Sequence, residues 1–142
     1  MQEFTPGKAV KAGAPVMKLC SQLSQRALRL TMKLNSGYQV PAQVYRLFST
    51  LTGQKVYDGF GLFPPFYTDC GINIHLGKDV FINSGCRFQN QGEIWIGDGS
   101  LIGHNEVLAT LNHGLKPGQR HELQAACVVI GNNVWLGVHP PG

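Results

Sequence analysis

The chain has 142 residues, 43% of them hydrophobic and 14% charged, with a formal net charge of +4. That length suits one domain with a modest core, and no apolar run approaches the roughly 18 residues of a membrane span or forms the h-region of a signal peptide. Eight of the twelve Lys and Arg fall in residues 1–57 against one acid, but they are dispersed and not interleaved with aromatics, which reads as a solvated helical face and argues against a nucleic-acid or membrane partner.

Residues 1–16, with Pro6, Gly7, Gly13 and Pro15, are expected to form an irregular leader. From Leu19 the apolar spacing Leu19, Leu23, Ala27, Leu30, Leu34 is helical, with Ser21 or Ser24 as its cap and Asn35-Ser36-Gly37 as its stop. Pro41 suits the first turn of a second helix. Val44, Leu47, Phe48 and Leu51 make its buried stripe, and Gly53 ends it. Residues 17–58 therefore predict a two-helix cap. Residues 55–73 are rich in aromatics, Tyr57, Phe60, Phe63, Phe66 and Tyr67, stiffened by Pro64-Pro65. Two readings stand side by side: these residues cover the end of the first coil, or Tyr67, Thr68 and Asp69 reach a polar substrate beside it.

From residue 74 onward an aliphatic or aromatic residue followed by a small or amide residue returns every six positions. Leu76-Gly77, Ile82-Asn83 and Phe88-Gln89 form one run; Ile96-Gly97, Ile102-Gly103 and Leu108-Ala109 a second; Ile130-Gly131 and Leu136-Gly137 a third. Neither the period of 2 of a strand nor the 3.6 of a helix yields a strict six. A short repeat of this kind predicts a parallel β-helix, in which each coil stacks its apolar residue on the one below. Three hexads make a triangular coil, and Gly or Asn suits each corner because both tolerate φ > 0. Phe88 to Ile96 is eight residues, which predicts a bulge near Gln89–Glu93. Leu108 to Ile130 is twenty-two, which predicts an excursion over 110–126 carrying Asn112-His113-Gly114, a place where loops commonly hold function.

Cys20, Cys70, Cys86 and Cys127 form no C-x-x-C pair. All four read as buried small apolar residues in a reducing, cytoplasmic compartment.

The runs FPPFYTDCGINIHLGKDVFINSG (Phe63–Gly85), IWIGDGSLIGHN (Ile94–Asn105), LATLNHG (Leu108–Gly114) and IGNNVWLG (Ile130–Gly137) resemble, in this order, the maltose and galactoside O-acetyltransferase family of hexapeptide-repeat acyltransferases. The resemblance implies a mainly β fold, a left-handed parallel β-helix over 59–142 behind the helical cap. It also implies acetyl transfer from acetyl-CoA to a hydroxyl of a sugar or sugar-like acceptor, at sites between subunits of a homotrimer, with no metal required.

By that resemblance His113 is the catalytic base. A hydroxyl is a poor nucleophile until its proton is taken, and imidazole, with an unperturbed pKa of about 6.5, suits the task. Asn83 matches the family's acceptor-site asparagine, and Asp69 falls in the acceptor-side segment. Trp135 matches the tryptophan that meets the pantetheine arm of the cofactor. Gly103 and Gly137 match positions where the cofactor passes close to the backbone.

Three departures from the family accompany this. Its early acceptor-binding aspartate has no counterpart, since no acid occurs between Thr5 and Tyr57. An acid seen in sugar-binding members is Gln91 here. The family continues for several more coils, whereas Val138-His139-Pro140-Pro141-Gly142 reads as a terminator. The expectation is a truncated member with an impaired donor site; the alternative is a non-catalytic solenoid with a structural or interaction role. A zinc site at His104, His113 and His121, as in carbonic anhydrases on the same solenoid, is a further alternative, although spacings of nine and eight match no local ligand motif.

Overall fold

The computed structural model describes residues 9–10, 15–113 and 123–137. Residues 1–8 and 11–14, residues 114–122 with His121, and residues 138–142 lie outside the described residues.

Helix α1 (Pro15–Leu34) starts four residues before Leu19, because Pro15 can occupy a first turn whose N–H groups have no intrahelical acceptor anyway. Beyond its end, Asn35 clasps the β-structure: its Nδ2 donates to the Phe66 carbonyl and its Oδ1 accepts from the Phe66 N–H, each at 2.9 Å. Helix α2 (Pro41–Thr52) buries Val44, Leu47, Phe48 and Leu51, as their spacing predicts, and Gly53 closes it at φ 70°. The Arg26 guanidinium of α1 donates to the carbonyls of Leu51 (3.1 Å) and Thr50 at the end of α2. A cation thus meets carbonyls that a helix end leaves unpaired.

The remainder winds into three flat faces. Face one stacks β2 (Gly61–Leu62), β5 (Phe81–Ile82), β8 (Leu101–Ile102) and β13 (Trp135–Leu136). Face two stacks β3 (Phe66–Thr68), β6 (Cys86–Gln89) and β9 (Val107–Ala109). Face three stacks β4 (Ile74–Leu76), β7 (Ile94–Ile96) and β12 (Val128–Ile130). Every pairing is parallel. Gly61 opposes Phe81 and Phe81 opposes Leu101, a step of 20 residues per coil, whereas Trp135 opposes Leu101 after 34 because the excursion intervenes. The eight-residue step foreseen after Phe88 therefore recurs one coil earlier, from Thr68 to Leu76, and is part of the winding.

Inward residues Ile82, Ile94, Ile102 and Phe88 are buried in one cluster with Leu34, Phe48 and Leu51 of the cap. The Phe48 ring lies 4.9 Å from Phe60 and 5.4 Å from Phe66, and Phe66 lies 5.0 Å from Phe88. The helices thus close one end of the solenoid with the same hydrophobic burial that fills its interior.

The excursion leaves the coil at Thr110 and rejoins it at Ala126, whose N–H donates to the Thr110 carbonyl at 2.7 Å. Its arms are β10 (Leu111–His113) and β11 (Leu123–Ala125), paired antiparallel. Within the segment expected to be irregular, β1 (Ala9–Val10) adds to the outer edge of β11.

Cys20, Cys70 and Cys86 are buried, but Cys127 is exposed. It lies where the chain re-enters the coil, before the inward alternation of β12 begins. Burial pushes the Cys70 thiol up to about 11, which keeps it protonated and unreactive. Among the described residues no helix is long and apolar enough to cross a membrane.

Candidate functional site

Where face one turns into face two, the chain takes a turn of three or four residues, and the first residues of successive turns stack in a column. Ile82, Ile102 and Leu136 point inward and register with one another; the next residues are Asn83, Gly103 and Gly137. The Asn83 N–H donates to the Ile102 carbonyl (2.8 Å) and the Gly103 N–H to the Leu136 carbonyl (2.6 Å). A Cβ on Gly103 would stand 3.1 Å from the Leu136 carbonyl oxygen and 3.2 Å from the Gly137 Cα. Close backbone stacking is thus one reason for glycine at both positions, and it leaves the outside of the column bare. Asn83 Oδ1 accepts from the Ser84 N–H at 2.8 Å, which anchors the amide and leaves Nδ2 as a donor for a ligand. Trp135, directly above Leu101 on the outward side of face one, is 59% exposed.

At the other end of face two the chain takes the two extra residues, and side chains fill the corner. Asp69 Oδ1 accepts from the Asn90 N–H (2.8 Å). Asn90, fully buried, accepts through Oδ1 from Thr68 Oγ1 (2.6 Å) and from the Gly71 N–H (2.9 Å). Asn73 Nδ2 donates to the Gln91 carbonyl (3.1 Å), and Gln91 Oε1 is buried. Thr110 extends the stack: Oγ1 donates to the Gln89 carbonyl (2.6 Å) and accepts from the Gly92 N–H (2.9 Å). From Thr110 the β10 strand departs, carrying His113 opposite Leu123.

The six expected site residues therefore fall into two groups. Asn83, Gly103, Gly137 and Trp135 belong to the narrow corner, while Asp69 and the arm bearing His113 belong to the wide one. The four residues of β6 separate these ends, roughly 13 Å at about 3.3 Å per residue.

No protein-family model matches the chain. It is 28% identical over 135 residues to the galactoside O-acetyltransferase of Escherichia coli K12, an alignment spanning 92% of this chain and 66% of that protein. It is 34% identical over 107 residues to nodulation protein L of Rhizobium meliloti, spanning 74% of this chain and 58% of that one. A solved hexapeptide-repeat acetyltransferase from Vibrio cholerae superposes with a TM-score of 0.81 at 28% identity, over 95% of this chain and 73% of that one. The chain's homologues and structural neighbours are hexapeptide-repeat sugar acetyltransferases. The chain spans less than two thirds of the length of both curated relatives.

As in the solved hexapeptide-repeat acetyltransferases it superposes on, the β-helix is left-handed, against the usual right-handed crossover of parallel strands. The outer side of face two carries a groove of about 300 Å³ beside Asp69, lined by Leu28, Thr31, Tyr67 and Arg87. The Arg87 guanidinium sits 4.2 Å over the Tyr67 ring, a favourable cation–π geometry. Burial raises the Asp69 carboxyl above its ordinary value, opposed by the hydrogen bond from Asn90.

One neighbour of the narrow corner escaped the reading of the sequence as a transferase. His104 lies next to Gly103, its Nδ1 3.2 Å from Ser84 Oγ one coil below. The signal was the alignment of Gly103-His104-Asn105 over Asn83-Ser84-Gly85. Among the described residues no three His, Cys, Asp or Glu gather at metal-binding spacing; His104 and His113 leave the solenoid from opposite ends of face two.

Proposed function

We propose that the chain transfers an acetyl group from acetyl-CoA to a hydroxyl of a sugar or sugar-like acceptor. The observation that carries this reading is the bare column of Asn83, Gly103 and Gly137, with an exposed tryptophan beside it, in a chain whose homologues are sugar acetyltransferases. His113 takes the acceptor's proton as its oxygen attacks the thioester carbonyl. Asn83 Nδ2 donates to the oxyanion of the tetrahedral intermediate. That intermediate collapses, the C–S bond breaks, and His113 returns the proton to the CoA thiolate. Trp135 packs against the pantetheine arm, which passes over Gly103 and Gly137, and Asp69 faces the acceptor across the face-two groove.

The division of these residues between two corners supports a site shared by neighbouring copies, the wide corner of one facing the narrow corner of the next, in a homotrimer. The free, buried Cys20, Cys70 and Cys86 suit the reducing cytoplasm. A second reading, a non-catalytic scaffold, draws support from the structural roles that Gly103, Gly137 and Asp69 also fill.

Thiol release by the purified chain from acetyl-CoA, in a panel of free sugars, separates the two. Acetylated sugar is expected, with His113→Ala lowering the rate about 10²–10⁴-fold. Wild-type protein that releases no CoA would establish the scaffold reading.

A further inference from the structure

The elbow between α1 and α2 and the start of the first coil border an open cavity of about 840 Å³, within the range of about 300–1,000 Å³ of small-molecule sites. The Asn35 clasp on Phe66 holds this elbow in place. Acetyl transfer at the narrow corner makes no use of the cavity.

Four aromatic side chains line it: Tyr38, Tyr45, Phe63 and Tyr67. Two are already fixed by other rings, Tyr45 edge-on to Phe60 at 5.7 Å and Phe63 edge-on to Phe81 at 5.0 Å. Tyr38 is 87% exposed. None of the lining residues carries a charge, so an ion entering here would lose water without gaining a counter-charge. The cavity also contains the polar groups of Gln39 and Ser84. Gln39 donates its Nε2 to the Lys33 carbonyl (3.1 Å), which orders the side chain at the rim.

Flat uncharged walls with amide and hydroxyl groups among them suit one chemistry well. A pyranose presents C–H faces that lie on aromatic rings and an edge of hydroxyls that seeks amides and hydroxyls. A purely apolar ring would cover the same walls and leave unused the hydrogen-bonding capacity that Gln39 and Ser84 keep beyond their bonds to Lys33 and His104. Position adds to this, because Ser84, which lines the cavity, belongs to the narrow corner and follows Asn83 directly. We propose that it is a second saccharide subsite, holding the neighbouring ring of an oligosaccharide acceptor whose reacting ring lies at Asn83. The placement of the reacting ring rests on the acetyl-transfer reading; binding of the second ring can be measured without it.

The test is a titration of the full chain by ligand-observed NMR without acetyl-CoA, comparing glucose with maltose and N-acetylglucosamine with its β-1,4 dimer. In at least one series the two-ring sugar is expected to bind about fivefold tighter, and Tyr38→Ala to return that ratio to about one. Tyr38 is exposed, so the variant is expected to keep the wild-type circular dichroism spectrum. Equal affinity for one and two rings in both series, no binding of any saccharide, or a gain that survives Tyr38→Ala would each overturn the proposal. So would a p-nitrophenyl glycoside that gains more than the disaccharide. Acetyl transfer to glucose without a two-ring gain would sink the subsite alone, whereas a Tyr38-dependent gain without transfer would support it and count against the acetyl-transfer reading.

Discussion

The two corners that bound face two are built by opposite means. At the narrow one, backbone stacks on backbone through Asn83, Gly103 and Gly137, and side chains contribute little to closing it. At the wide one, two extra residues per coil would leave N–H groups facing inward without acceptors; Asp69, Asn90 and Thr110 supply those acceptors, and Asn73 donates to the Gln91 carbonyl. Side-chain bonding rigidifies the wide corner and occupies its surface; the narrow corner keeps its outer face free for a ligand. A solenoid can thus divide labour between corners while repeating one winding.

If that contrast is right, substitutions at the two ends should fail differently. Asn90→Ala strands the buried Gly71 N–H and leaves the Thr68 hydroxyl only the Phe88 carbonyl as acceptor, and we expect a loss of about 3 kcal/mol in urea unfolding. A loss below about 1 kcal/mol would show that the wide corner holds without this side chain. Gly103→Ala should cost less, about 1–2 kcal/mol for a Cβ forced against the coil above, yet weaken acetyl-CoA binding in calorimetry. Unchanged acetyl-CoA affinity alongside the lost stability would assign the column to packing alone.

The smallest expected effect sharpens the comparison through pH. Because burial raises the folded-state value of Asp69 above its ordinary 3.8, ionisation costs stability. The contribution is fully present below the unfolded value and is lost as pH rises through the folded one. Asp69→Asn keeps an acceptor for Asn90 and carries no charge. It should melt slightly above wild type at pH 7, with the gap closing near about pH 3. A variant that melts lower at pH 7 would mean that the carboxylate's charge strengthens the corner.

Much of the solenoid was legible because each inward aliphatic announces itself at a fixed interval. The wide corner at 68–76 was not, since its inward residue is Thr68, a polar side chain held by hydrogen bonds where the pattern asks for an aliphatic. Helix α1 runs back to Pro15, beyond the stripe that begins at Leu19, because a proline in the first turn continues a helix without joining its apolar pattern. The site residues came from likeness to a family. Periodicity foresaw something small at Gly103 and Gly137, but that the two stack on each other follows from the coil's 20-residue step and the length of the excursion between them. The cavity beside the elbow draws its walls from segments with no shared period, so no local reading of the sequence assembles it.

The pairing of β1 with β11 bears on the order in which the molecule forms. Ala9 and Val10 leave the ribosome more than a hundred residues ahead of Leu123 and Gln124, their partners. Closing so long a loop costs entropy that a two-residue strand repays poorly on its own. The coils, each of which needs only the turn just completed, can wind first; the strand that began the described chain then docks last. Its grip falls on the hairpin that bears His113, so the final long-range contact to form is one that steadies the proposed base.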